Sequence, residues 1–357
     1  LFRSIDLFDE SMSSDGTMDA IQTINDLVGK QCFVSGMASV NNDIRKLAEN
    51  ESVIYVLIAV VLSLIVLSLT MDSVVVPFLF LISIGMAIIY NLGSNVFFGE
   101  ISYITKALAA VLQLGVTMDY SIFLWHSYQE QKERFDGDKN RAMAHAISNT
   151  ITSVVSSSIT TVAGFIALCF MSFTLGKDLG IVMAKGVVFG VIGCVTILPS
   201  LILVCDKAIE KTRHKVILPD LSRIAGFITK HHVVFVIAFL VVLIPAIYGY
   251  THTNVYYDLT GTLPETFSSK VGNDKLSEQY HMGATHMVLA KSSLSEKDSM
   301  NMIDEIKKVD GVKLAVSMDS LTGPMVPQDV IPDDVKDIFK SGDYQMMVIV
   351  SEYASAT

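Results

Sequence analysis

Long apolar runs dominate the first 250 residues of this chain, and each is close to the length of a membrane-spanning helix. About 20 consecutive apolar residues cross the hydrocarbon core of a bilayer as an α-helix. Six segments reach or approach that length, at 52–70, 74–92, 103–126, 147–173, 179–205 and 232–251. The pattern therefore predicts a membrane α-helical bundle of six transmembrane helices.

The two ends of the chain have the mixed polar and apolar pattern of soluble α+β structure. Before the first span, the pattern predicts a helix, a strand and a second helix, at 15–29, 32–35 and 39–51. After the last span, it predicts strands and helices in the order βαβ then αβ, at 286–290, 295–309, 312–317, 332–340 and 344–351. Ser295 and Asp298 form a capping-box start for the first of these helices. This order is that of a split α+β sandwich.

Charge in the predicted loops orients the bundle. Loops 127–146 and 206–231 carry four and six Lys or Arg residues, whereas loops 93–102 and 174–178 carry only Lys177. Since basic loops are retained in the cytoplasm, we expect both chain ends to lie outside the cytoplasm, with a tight cytoplasmic turn at 70–73. The chain begins with Leu1 and its last soluble segment stops early, so we expect an excerpt of a longer protein.

Composition excludes several classes of function. Charged residues make up 17% of the chain and the net charge is −10, so no basic surface is expected to bind nucleic acid. The four cysteines suggest neither disulfides nor a metal site. No phosphate-binding loop or His-Glu-x-x-His motif occurs. An intramembrane aspartyl protease needs two facing carboxyls, and only one is expected at depth. We expect no enzyme activity and no cofactor.

That one carboxyl belongs to Asp119, within the sequence Gly115-Val-Thr-Met-Asp-Tyr120. An ionisable residue inside a membrane span is energetically costly and is usually functional, most often in an ion or proton pathway. Gly115 lies one helical turn earlier on nearly the same face, where it would allow a neighbouring helix to approach closely. The Tyr120 hydroxyl could form a hydrogen bond with a partner group. The alternative is a carboxyl that pairs with another helix for assembly only.

The fourth span carries a stripe of small and polar residues on one helix face, formed by Ser153, Ser157, Thr160, Thr161 and Gly164. Such a stripe must face protein or water rather than lipid, so it could hold water beside Asp119. The alternative is that these residues serve helix packing and that their hydroxyls bind their own backbone.

Four other residues within the spans have simpler explanations. Lys106 and Lys185 lie nearer the end of their span that is expected outside, so both could extend toward that membrane interface. Pro199 and Pro245 remove backbone hydrogen bonds and predict kinks in the fifth and sixth spans.

The stretch 115–124 resembles the fourth transmembrane helix of MMPL-type transporters, which belong to the resistance-nodulation-division superfamily. Thr160–Phe165 and Leu198–Leu201 also match that family. The resemblance implies flanking extracytoplasmic porter-like domains and export of lipids or other hydrophobic molecules, driven by protons. It implies a proton relay at Asp119 and Tyr120, supported by the hydroxyl stripe at Ser157, Thr160 and Thr161, with Gly115 and Gly164 packing near it.

The resemblance also sets the expected domains and partners. We expect the end of a first porter domain, five helices, a cytoplasmic linker, a sixth helix and the start of a second porter domain, at 1–51, 52–206, 207–231, 232–252 and 253–357. A second transmembrane half, whose tenth helix would complete the relay, is missing from the chain. Other expected partners are membrane lipids and a hydrophobic substrate, and the sequence leaves open whether the protein forms a homo-oligomer.

Two other functions stay open at this point. The same bundle could bind or sense a sterol or lipid without pumping it. It could also be an accessory subunit of a secretion machine.

Overall fold

The computed structural model describes residues 11–12, 14–28, 32–215, 222–253, 260–322, 336 and 339–353. Within these residues the chain is mostly helical, and six helices are long and apolar enough to cross a membrane. Contacts divide the chain into two compact units. One unit is 45–238, and the other combines 1–44 with 239–357.

The predicted spans are confirmed as helices. Within the described residues the helices from the first span to the last are α2 Met37–Thr70, α3 Val75–Gly93, α4 Tyr103–Arg134, α5 Lys139–Leu168, α6 Thr174–Val195, α7 Ile197–Lys211, α8 Ser222–Lys230 and α9 His232–His252. Helices α6 and α7 together form the fifth candidate span. The helix predicted at 39–51 is the first part of α2, and it continues into the span without a break.

The segments between the spans, which carry the orienting charges, are mostly helix within the described residues. The predicted loop 127–146 is reduced to a turn at 135–138, because Lys and Arg are good helix formers and do not end a helix by themselves. Asp136 and Gly137 make the turn with positive φ angles of 50° and 87°. Asp138 then caps α5 by accepting a hydrogen bond from the backbone N–H of Arg141.

The fifth span is interrupted next to a proline, as predicted. Helix α6 ends at Val195, and α7 starts at Ile197. Pro199 has no N–H to donate to the carbonyl of Val195, four residues earlier, and its ring would clash with that carbonyl in a continuous helix. Thr196 between them has non-helical angles of φ −121° and ψ −60°. Helix α9, by contrast, continues through Pro245.

The bundle core lies where α3, α4, α5 and α7 meet. The largest fully buried side chains there include Phe80, Leu124, Tyr128, Met143 and Leu198. The predicted tight turn between α2 and α3 is also present. It is tied to the end of α7 by a backbone bridge between Ser73 and Arg213 and by a 2.7 Å hydrogen bond between the Ser73 and Thr212 hydroxyls.

The second unit contains the amphipathic helix predicted at 15–29, observed as α1 Asp15–Val28. The strand predicted at 32–35 is wrong, because the described residues there have no regular structure. The backbone of Val34 is bound by side chains instead of a neighbouring strand. Its N–H donates to Ser268 Oγ at 3.2 Å, and its carbonyl accepts from Ser39 Oγ at 3.1 Å.

A small antiparallel sheet follows α10 Ser268–Tyr280. Its elements are β1 Ala284–Lys291, α11 Glu296–Ile306, β2 Val312–Ser317, α12 Met318–Thr322, β3 Lys340–Ser341 and β4 Tyr344–Ser351. Strand β4 lies between β1 and β2 and is antiparallel to both, which is the split βαβ arrangement. The strands predicted at 286–290, 312–317 and 344–351 are therefore confirmed.

Ser295 caps the start of α11 as predicted, since its Oγ accepts a hydrogen bond from the Asp298 N–H at 3.2 Å. The Asp298 carboxylate accepts from the Ser295 hydroxyl at 2.6 Å, rather than from its backbone N–H as in a complete capping box. Helix α11 ends at Ile306, earlier than the predicted 309, and its Ile303 packs on Ala315 and Met347 of the sheet. The helix predicted at 332–340 lies mostly outside the described residues, and its last position starts β3.

The turn before β2 has a position that only glycine fits. Gly311 has φ +80°, and a Cβ there would lie 2.1 Å from Tyr353 Cε2. The Tyr353 hydroxyl donates a 3.1 Å hydrogen bond to Asp310, which fixes the ring and raises the pKa of Tyr353. Gly342 also has positive φ (+55°) but has open space around a Cβ.

We therefore expect Gly311→Ala to destabilise the C-terminal unit by roughly 2–3 kcal/mol, because it adds a steric clash to the left-handed strain. Gly342→Ala introduces only the left-handed backbone strain, without a clash, and should destabilise the unit by about 1 kcal/mol. Trypsin cleavage of the C-terminal unit over a temperature series measures the difference. Equal cleavage temperatures for the two variants would contradict the role assigned to Tyr353.

Candidate functional site

Helix α4, which carries Asp119, packs against α3, α5 and α6 and has two distinct faces. Its buried face consists of Thr105, Ala109, Gln113, Leu114, Thr117, Tyr120, Ser121, Leu124, Trp125, Tyr128 and Gln131. Its exposed face consists of Lys106, Leu108, Leu112, Gly115, Asp119, Phe123 and His126. The predicted relay carboxyl thus lies on the side of α4 that the rest of this unit leaves uncovered.

The two predicted relay residues point in different directions. No hydrogen bond or ion pair reaches the Asp119 side chain from the described residues. Tyr120 is 3% exposed and belongs to the apolar core with Leu124 and Trp125. Successive residues on an α-helix are about 100° apart, so adjacent side chains cannot share one face.

The polar stripe of α5 is also on an exposed face. Ser153, Ser157, Thr160 and Gly164 are exposed and Thr161 is half-buried, whereas α5 packs into the bundle through residues such as Val154 and Ser158. The Thr160 and Thr161 hydroxyls both donate to the Ser157 carbonyl, at 2.7 and 3.1 Å. Among the described residues, no hydrogen bond joins the stripe to Asp119.

Glycines of α6, rather than Gly115 and Gly164, make the close helix contacts of this unit. A Cβ at Gly180 would lie 2.6 Å from the Phe165 carbonyl oxygen of α5, and the pair Gly186 and Gly190 lies against side chains of α3 and α4. A Cβ at Gly190 would lie 2.1 Å from Thr117 Cγ2, and one at Gly186 would lie 2.6 Å from Asn91 Nδ2. At Gly115 and Gly164 a Cβ would meet nothing within 4 Å. The sequence analysis missed the α6 pair, although its Gly-x-x-x-Gly spacing is a known signal for close packing of membrane helices.

A buried amide network lies at the Gly186 contact. Asn91 Nδ2 donates to Gln113 Oε1 at 2.8 Å, and Gln113 Nε2 donates to the Gly186 carbonyl at 3.1 Å. Both amide side chains are 0% exposed. The carbonyl of Gly186 can only accept, so it fixes the orientation of Gln113 and hence of Asn91. The network joins α3, α4 and α6 inside the span.

A second carboxyl lies inside the bundle at Asp206 of α7, which the sequence analysis had placed at the start of a loop. Its Oδ1 accepts hydrogen bonds from Lys132 Nζ at 2.8 Å and from the Tyr128 hydroxyl at 3.3 Å. Lys139 Nζ is 3.9 Å from its Oδ2, and Lys132 also binds the exposed Glu210 at 2.9 Å. Unlike Asp119, Asp206 is fully paired, and it ties α4, α5 and α7 together.

In the part of the chain that the structure describes, no three His, Cys, Asp or Glu side chains come together as metal ligands do. The site contains one unpaired carboxyl, hydroxyls beside it in sequence or on the adjoining helix, and open faces. Such groups can take up and release a proton or bind another polar helix.

The comparison with known families decides the classification. The MMPL family matches residues 9–230, which include Asp119, the stripe, Gly186 and Gly190. The chain belongs to the MMPL family. The resemblance seen at 115–124 is thereby confirmed, and members of this family are transporters.

Known relatives of this MMPL protein are membrane proteins. YdfJ of Bacillus subtilis is 20% identical over 83% of the chain and 40% of its own length. MJ1562 of Methanocaldococcus jannaschii is 34% identical over 32% of the chain and 27% of its own length. ActII-3 of Streptomyces coelicolor is 30% identical over 42% and 21%. The chain therefore spans between about a fifth and two fifths of these relatives.

We expect Gly190→Ala to destabilise the bundle by about 1–3 kcal/mol, because the new methyl group would overlap Thr117. Gly115→Ala is the matched control, and in this chain it should be neutral or slightly stabilising, since the site is open and alanine favours helix. Thermal unfolding in detergent, followed by fluorescence of Trp125, compares the two. A similar loss for both variants would contradict the packing described at α6.

The Asp206 pairs give a second prediction. Asp206→Asn should lower the free energy of unfolding by about 1–3 kcal/mol, because it leaves Lys132 with one exposed partner. Glu210→Gln removes only that exposed pair and should cost less than about 1 kcal/mol. The same Trp125 signal measures both variants, since this tryptophan is the only one in the chain and lies on the same helix as Lys132. An equal effect of the two changes would argue against a special role for Asp206.

Proposed function

We propose that this MMPL protein forms half of a transporter that exports lipids or other hydrophobic molecules, driven by the proton motive force. Protons are the proposed coupling ion. One observation carries the proposal, namely that Asp119 lies in a membrane span, on an exposed helix face, and has no partner among the described residues. A carboxylate at that depth is energetically costly unless it is protonated or paired. Asp119 therefore requires a partner that gives it a proton or pairs with it.

The faces beside Asp119 favour a protein partner over lipid. Helices α4 and α5 pack together, and each presents small or polar residues on an exposed side. Gly115 and Gly164 leave room for a backbone to approach. Small residues and hydroxyls are typical of contacts between membrane helices. We propose that a second six-helix half of the full protein covers these faces and supplies a polar group to Asp119.

In the proposed cycle, Asp119 takes a proton from the outer side and releases it to the cytoplasm. Ser157, Thr160 and Thr161 would hold water or the partner helix beside the carboxyl. Tyr120 would support the relay from the packed side of α4, because its burial fixes the rotation of that helix. Gly115 and Gly164 would allow the partner half to move closely past. The export substrate would meet the soluble domains at both ends, which we propose to be porter-like.

The proposed location is the cell membrane, with both chain ends extracytoplasmic. The support is the bias of basic residues, since Lys132, Arg134, Lys139 and Arg141 lie at or near one turn, between α4 and α5. Basic residues near span ends are retained in the cytoplasm.

Asp119→Asn in the full-length protein tests the proposal. We expect the variant to reach the membrane in normal amounts and to lose proton-driven export, because an amide cannot carry a proton between the two sides. Transport is measured in inside-out vesicles as the uptake of a fluorescent hydrophobic probe when a pH gradient is imposed. The control is Asp136→Asn, the same chemical change in the exposed turn between α4 and α5.

The outcomes separate the competing functions. Export that persists in the Asp119 variant would overturn the relay. A wild-type protein that binds the probe but never accumulates it under a pH gradient would instead favour the binding or sensing module. Equal loss in both variants would show a general sensitivity to lost charge.

A further inference from the structure

Lys185 of α6 is a cation inside a candidate membrane span, and none of the described carboxylates forms an ion pair with it. Its ammonium donates to Asn95 Oδ1 at 2.5 Å and lies 4.9 Å from the centre of the Phe98 ring. Both partners are neutral. The carboxylate on the same face of α6 is Asp178, two turns earlier, and its Oδ2 already accepts a hydrogen bond from the Ser102 N–H.

The contact with Asn95 sets the depth of this charge. Helix α3 has 19 residues, so it is about 28 Å long and nearly matches the roughly 30 Å hydrocarbon core. Asn95 follows just after the end of α3, in the short 3₁₀ helix Ser94–Phe97. The ammonium of Lys185 therefore reaches the level where lipid headgroups begin, as expected for a lysine whose stem extends toward the interface.

The surface around the ammonium is apolar and exposed. Above it, at the end of α3, Val96, Phe97 and Phe98 are 76%, 86% and 58% exposed. Below it, on the same face of α6, Val188 and Ile192 are 47% and 49% exposed. Since α6 runs inward from this end of the bundle, these two residues lie deeper in the span than Lys185. A charge at headgroup level with an apolar strip beneath it matches the shape of a phospholipid.

The amide that positions the ammonium is buried. Asn95 is 5% exposed, and its Oδ1 must face Lys185 because an ammonium can only donate. A lysine that merely extends into water needs no buried acceptor beside an aromatic ring to direct it. The ammonium uses one of its three donors on Asn95, and Lys185 remains partly exposed, so other donors are open to a ligand from the membrane side.

We propose that Lys185, positioned by Asn95 and Phe98, binds the phosphate group of an anionic phospholipid in the leaflet at this end of the bundle. The acyl chains of that lipid would lie along Val188 and Ile192. A lysine ammonium is a point charge suited to phosphate, and the uncompensated cation supplies the charge complementarity. This site lies apart from the exposed face that carries Asp119, and it does not depend on proton-driven transport.

Titration of delipidated full-length protein with phosphatidylglycerol, followed by native mass spectrometry, tests the proposal. We expect Lys185→Met to weaken binding of one phosphatidylglycerol by about fivefold, the effect of one lysine at an anionic membrane surface. Lys185→Arg keeps the charge and should bind nearly as the wild type does. The matched control is Lys106→Met, which removes an exposed lysine of α4 that belongs to no ion pair of the described residues.

Further arms identify the ligand and guard against misfolding. Asn95→Ala retains the charge but frees the ammonium, so it should also weaken binding even if Lys185→Met fails to fold. Zwitterionic phosphatidylethanolamine should bind less tightly than phosphatidylglycerol, and inorganic phosphate alone should not compete. Unchanged binding in both Lys185→Met and Asn95→Ala would overturn the site. Equal competition by free phosphate would overturn its assignment to a lipid.

Discussion

Close packing of α6 against α3 and α4 determines which way Asp119 points. Gly186 and Gly190 have no side chains, so Asn91, Gln113 and Thr117 can lie directly against the α6 backbone. These contacts fix α4 in rotation, because a helix has only one orientation in which Gln113 and Thr117 both face the same neighbour. Asp119 lies two residues after Thr117 and is therefore turned to the uncovered side. The relay candidate is exposed as a consequence of packing elsewhere on its own helix.

The sequence could predict features that depend on one segment alone, but not those that depend on packing between helices. Apolar length alone located the six spans, since the hydrocarbon thickness fixes how many residues a span needs. Helices α4 and α5 extend past the apolar stretches that predicted them, since Lys132 and Arg134 still belong to α4. Periodicity placed Ser153, Ser157 and Thr160 on one face but could not say whether the bundle covers that face.

Glycines illustrate the same limit. The sequence offers glycines on α4, α5 and α6 as sites of close approach, and only contacts in the folded chain decide among them. Within the described residues, side chains of α3 and α4 lie directly against Gly186 and Gly190, whereas Gly115 and Gly164 have open space around them. A glycine in the sequence of a helix indicates that another helix could approach closely there. The identity of the approaching helix depends on which stripes pair, which is a property of the whole bundle.

Asp206, Lys185 and Asp119 differ in how the bundle accommodates their charges, and this difference bears on Asp119. Asp206 lies toward the end of α7, where Lys132 and Tyr128 bind it. Lys185 lies inside its span, but its long stem carries the ammonium to Asn95 at the membrane interface. Asp119 has neither a partner among the described residues nor a long side chain. It is about 24 Å along α4 from Tyr103, and its single methylene group cannot extend to either interface. Of these charges it alone needs a group from outside the described bundle, and this need is the physical basis for assigning it a function.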